Sequence, residues 1–233
     1  MPLLGVLFLS IFSCEKADNT QTAGVSQTYL SIRDDAAAFH NGFLDEVYNT
    51  CPTQLFRNEL DSVGINWMMD LGYSYFGSLG FTEEELNVSV AEFRRVQDEM
   101  LQKKKDGVPF PFEDGMEPKI RIVWDDIVEA FKDETSIEVA TQQINAVLTN
   151  VLTDPQYTEE EKVMLANTVG IAIGSYAYWS ENMDKWKAPD NVSRTVKQER
   201  LVNLVLADAG GFFTPAGLLG SAAFSALVAW SWD

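Results

Sequence analysis

The chain has 233 residues, enough to bury one sizeable core or two small ones. Charged residues make up 22% and hydrophobic residues 46%, which excludes a disordered chain and a multi-span membrane protein. The 17 Lys and Arg against 35 Asp and Glu give a formal charge of −18, which repels nucleic acid and anionic lipid alike, so no nucleic-acid partner is expected. Cys14 and Cys51 are too few for a disulfide framework to hold the fold.

Residues 1–13, MPLLGVLFLSIFS, are apolar and uncharged and stop at Cys14. The run fits the hydrophobic region of a secretory signal peptide and is too short to cross a bilayer. No Lys or Arg precedes it, so either the true start lies upstream or the initiator amine supplies the positive charge. Ile11-Phe12-Ser13-Cys14 resembles the lipobox of bacterial lipoproteins, with an aliphatic residue at minus three, a small residue at minus one and the cysteine; Phe12 is less typical at minus two. The resemblance implies cleavage before Cys14, diacylation of its sulfur by palmitate-like chains, and attachment to a bacterial outer membrane or cell surface. Glu15, Lys16, Ala17 and Asp18 are similar to the acidic stretches of surface-exported lipoproteins. Two or three acyl chains would anchor the protein permanently, whereas one is marginal. The alternative is an ordinary Cys14 bonded to Cys51. Residues 14–28 are polar, small and aperiodic, a flexible tether ahead of a helical domain over 29–233.

Helical spacing marks Ala36, Phe39, Phe43 and Val47 as one buried face, and Phe56, Leu60, Val63, Trp67 and Leu71 as another. Thr82 with Glu85 forms a capping box that opens a helix through Leu86, Val90, Phe93 and Met100 to Lys103-Lys104-Lys105, closed by Gly107. Residues 108–118 carry three prolines and two phenylalanines, an extended loop and a possible subdomain boundary. Phe110 and Phe112 there are candidates for a partner-binding loop, or fold back onto the core. Ile120, Val123, Trp124, Ile127 and Phe131 mark the next helix, and Ile137, Ile144, Val147, Leu148 and Val151 the one after.

A second capping box, Thr158 with Glu161, opens a helix that is apolar all round from Val163 to Trp179 except at Asn167, the pattern of a core helix. Ala166, Gly170 and Gly174 recur every four residues and offer one face for close approach of another helix. Ser193 is a candidate cap for a helix carrying Val196, Leu201, Leu204 and Val205. From Ala209 to Trp232 there is no charge, and Gly217, Ser221 and Ser225 repeat the small-residue spacing. This tail weakly resembles glycine-zipper segments of bacteriocin-like peptides. It is expected to dock through Gly217 and Ser221 onto Ala166, Gly170 and Gly174; the alternative is a membrane-active segment. The fold class is all-α, an irregular bundle of about eight helices around a buried central helix striped with small residues.

Chemistry is sparse. His40 is the sole histidine, which excludes a multi-histidine zinc site and a helical di-iron site. A Ser-His-Asp triad would need His40, and no glycine-flanked nucleophile elbow accompanies it; packing or surface exposure is its plainer reading. Cys51 with His40 would be a nucleophile and base, and Asp125-Asp126 and Glu159-Glu160 would be acid and base or calcium groups without calcium-loop spacing. Asn87-Val88-Ser89 and Asn191-Val192-Ser193 match the glycosylation pattern, which a lipobox-bearing bacterial chain leaves unused. The expected function is lipid-anchored binding or scaffolding toward an unknown protein or small molecule, with no catalytic residue, metal or cofactor. A membrane-inserting protein and a hydrolase using carboxylates or Cys51 are the alternatives.

Overall fold

The computed structural model describes residues 21–51, 62–105, 116–132, 136–186, 194–213 and 217–230. Eight α-helices and no strand occur among them. They are α1 (Gln21–Thr50), α2 (Ser62–Ser78), α3 (Glu83–Lys105), α4 (Pro118–Lys132), α5 (Ile137–Thr153), α6 (Glu159–Asn182), α7 (Arg194–Gly211) and α8 (Gly217–Trp230). Cys14, Phe110, Phe112, Ser193 and nearly all of the 108–118 stretch lie outside the described residues.

Both capping boxes form. Thr82 N–H donates to Glu85 Oε2 at 2.7 Å while Glu85 N–H donates to Thr82 Oγ1 at 3.3 Å. Thr158 and Glu161 repeat the exchange at 2.8 and 3.3 Å. Just before the first box, α2 stops at Gly80, whose φ of 97° is open to glycine and costly to a residue with a Cβ. Gly80 N–H bonds the Gly77 carbonyl and Phe81 N–H the Phe76 carbonyl, the paired bonds of a Schellman stop, with the Phe76 and Phe81 rings 5.4 Å apart across it. One helix end and the next helix start are thus fixed within six residues, 80–85.

Helix α6 is the centre. Every residue from Leu165 to Ala172 is buried, because the apolar sequence leaves no side for water. Helix α1 runs along one side of it, α7 along another, and α5 packs beside them; α8 lies on α7, α1, α2 and α3, and α4 on α5 and α7. The small residues of α6 explain how closely α1 comes. A Cβ built on Gly170 would collide with the Arg33 carbonyl, 2.8 Å from its carbon, and one on Gly174 would lie 2.7 Å from Ala37 Cβ. Ala166, one turn earlier on that face, is fully buried.

Three expectations change. The stripe on α6 is covered by α1, not by the tail helix; α8 follows α7 after a short connection and folds back onto it, as sequential helices usually do. In α2 the buried face is Ile65, Met68, Met69, Gly72 and Phe76, while Val63 is 62% exposed and Trp67 and Leu71 only half-buried. The helix is apolar on several sides, so spacing alone did not fix its rotation; Gly72 did, by admitting Leu219 and Phe43. Finally, α1 begins at Gln21, inside the expected tether, since adding a residue to an existing helix costs far less than nucleating one.

No described helix is long and apolar enough to cross a membrane. The uncharged tail is divided: its first residues end α7, and α8 contributes 14 residues with Leu218, Leu219, Ala222, Ala223, Ala226 and Ala229 buried.

Candidate functional site

The one cluster of buried ionisable groups among the described residues lies where α1, α6, α7 and α8 converge. Its members are His40 and Asp208, both 0% exposed, with Ser175, Trp179, Asn41 and Ser221 around them. Each helix delivers its part by spacing. Ser175 and Trp179 are four residues apart on α6 and so share a face. Asp208 sits in the last turn of α7 between Ala207 and Ala209, where small neighbours leave room for other helices. On α1, His40 continues the buried line of Ala36, Phe43, Leu44 and Val47.

Asp208 is held from several sides. Its Oδ2 accepts hydrogen bonds from the Ser175 hydroxyl and, at 2.9 Å, from Trp179 Nε1–H. Its backbone carbonyl accepts from Ser221 Oγ–H at 2.6 Å. Its Oδ1 lies 3.0 Å from His40 Nε2. That last contact is close but off-axis, so neither atom has an aligned hydrogen bond, and what joins them is charge.

The protonation of His40 follows from its other side. Asn41 Nδ2 donates to the Gly174 carbonyl at 3.0 Å, which turns Asn41 Oδ1 toward His40 Nδ1 at 2.9 Å. Both ring nitrogens therefore face oxygen acceptors, a setting met by the imidazolium and not by the neutral ring. Burial pulls the His40 pKa down, but the charge of Asp208 and the contacts with Asp208 and Asn41 outweigh it and hold the ring above its ordinary value.

The Ser-His-Asp residue types are thus present without triad geometry. Asp208 stands between Ser175 and His40, so the histidine cannot take the serine proton. All three are closed from solvent. The arrangement ties helices together and presents no reactive atom to a substrate.

The remaining candidates scatter. Cys51 follows the end of α1, 11 positions beyond His40 and about 16 Å along the helix, so the two cannot act as nucleophile and base. Asp125 and Asp126 are exposed on α4, with Asp125 paired to Arg121 at 3.0 Å. Glu159 and Glu160 lie in the first turn of α6, where Glu159 accepts a hydrogen bond from Tyr29. Lys119 on α4 reaches Glu161 at 2.7 Å and the Gln156 carbonyl at 3.1 Å. Burial pushes the Glu161 pKa up, but the bonds from Lys119 and Thr158 prevail and hold it below its ordinary value. No group of three or more His, Cys, Asp or Glu side chains forms a metal site among the described residues.

Sequence reasoning missed Asp208, although a signal was there: it is the single charged residue from Leu201 to Trp232. A lone acid in so apolar a stretch must be paired when it is buried. Ser221 stands where spacing pointed, on the inner face of α8, but its bond is to α7. Comparison of the chain with protein families, with curated proteins and with solved structures finds no match.

Proposed function

We propose that this chain is a lipid-anchored protein of the bacterial cell envelope whose acidic helical body serves as a binding or scaffolding module. The observation that carries the reading is the sequence Ile11-Phe12-Ser13-Cys14 at the end of an uncharged apolar run. Only six residues separate Cys14 from the first residue of α1, so an acylated Cys14 holds the start of that helix within about 25 Å of the anchor. The buried polar cluster supports a non-catalytic role, because its groups are consumed in fastening helices. The exposed carboxylates of the body suit a partner reached by charge, and the formal charge of −18 keeps the body off an anionic leaflet.

Radiolabelled palmitate fed to cells expressing the full chain tests the reading. Label is expected on the wild type and absent from Cys14→Ser, with the variant shifting from the membrane to the soluble fraction. Equal labelling of both would remove the anchor.

A further inference from the structure

The His40–Asp208 contact lies at the seam where α1 closes on α6 and α7, and among the described residues it is the fully buried ion pair of that seam. We propose that it is a proton-operated latch on α1: with the imidazolium present α1 is held against α6 and α7, and loss of that proton lets α1 lift from them.

The argument rests on what each helix presents to the ring. On α1 the neighbours on the buried face are Ala36, Phe43 and Leu44, and Asn41 supplies an amide that does not titrate. From α6 come Ser175 and Trp179, together with Tyr178, whose phenol burial keeps neutral well beyond its ordinary range. From α7 comes Asp208. Helix α8 carries no ionisable residue, and α2 brings the Tyr75 phenol toward Gly42, also raised by burial. His40 is therefore the group whose charge changes first as the pH rises above neutrality.

What that change does differs between helices. Ser175, Trp179 and Ser221 bind Asp208 through hydroxyl and indole donors that do not titrate, so α6, α7 and α8 stay fastened to one another. Helix α1 keeps the Asn41–Gly174 bond to α6, which does not titrate, but it is joined to the Asp208 carboxylate by the charged contact of His40, which does. Once His40 is neutral, Asp208 is left as a buried charge with one oxygen uncompensated, and the favoured escape is separation of α1, which admits water. The folded pKa lies above the ordinary 6.5, so the latch is fully closed below that pH and is lost as the pH rises through the folded value. Between 6.5 and the folded pKa each pH unit raises the open population about tenfold, since opening releases one proton there; above the folded pKa the ring is neutral in both states and the population levels off. The latch is independent of acylation at Cys14, and either idea can fail alone.

Because the chain has one histidine, its imidazole can be followed by NMR in the intact protein without assignment of a spectrum. We expect a cationic ring at pH 7 that titrates above its ordinary range. Between pH 6.5 and the pH at which the ring titrates, amide exchange in α1 should accelerate about tenfold per pH unit more than in α4, which serves as the internal reference, and the excess should level off above that pH. In Asp208→Asn, the amide can donate to a neutral ring, so His40 should be neutral at pH 7 and the excess acceleration should vanish. A His40→Gln variant should show the same flat profile. A neutral ring at pH 7 in the wild type, or exchange in α1 that tracks α4 at every pH, overturns the proposal.

Discussion

Replacing Gly170 by alanine separates helix propensity from packing. In the interior of α6 the substitution should gain about 1 kcal/mol, because alanine loses less backbone freedom on folding. The new Cβ, however, falls onto the Arg33 carbonyl, 2.8 Å from its carbon, and the obstacle is the backbone of a 30-residue helix, which has no rotamer to change. Overpacking of this kind costs about 1–3 kcal/mol, and a backbone collision belongs at the upper end. The net expectation is a loss of about 2 kcal/mol. Gly77 on α2 is the control: there a Cβ would meet only Leu86 Cδ1 at 3.7 Å, an ordinary contact. Gly77→Ala should therefore gain about 0.5 kcal/mol. Urea unfolding followed by tryptophan fluorescence measures both, with unchanged slopes showing that the transition stays two-state. If Gly170→Ala were as stable as the wild type, α1 would not lie on this face of α6 and the account of the core would fail.

Asp208→Ala removes the acceptor shared by Ser175 and Trp179 and strands the His40 charge, and should cost about 3–5 kcal/mol in the same assay. Thr158→Ala deletes the cap of α6 and should cost about 1 kcal/mol, with Glu161→Gln milder because an amide oxygen can still accept from the Thr158 N–H. Gly80→Ala meets no neighbour but must hold a φ of 97°, so a loss of about 1 kcal/mol is expected purely from backbone strain. Lys119→Met should raise the Glu161 pKa, read by carboxyl-carbon NMR. The stability that Glu161 contributes, present above its unfolded pKa and lost as the pH falls through the folded one, should then be smaller, and its loss complete at a higher pH, than in the wild type.

Much of the fold was legible because its signals are local. Thr82 with Glu85 and Thr158 with Glu161 each satisfy backbone donors within one turn, and nothing distant is needed to read them. The buried faces of α4 and α5 followed from spacing because charged residues such as Arg121, Asp125 and Glu129 mark the opposite side of α4 and leave one solution. Helix α2 has too few polar residues to mark a side, and there the expected face was rotated from the real one. Lone ionisable residues were the other gap: the position of His40 allows packing or surface exposure, and no pattern in a sequence states which acid answers it once it is buried.

By itself, then, the sequence determined that this chain is all-α, where α3 and α6 begin, and that α6 is enclosed on every side, since hydrogen bonds within one turn and the surrounding apolarity decide those matters. Only the tertiary structure decided which helix occupies the Gly170–Gly174 face and that His40 meets Asp208 beneath it. A glycine stripe is equally open to any helix that can approach, and a buried charge to any partner of opposite sign, so both choices are made by the packing of segments far apart in the chain.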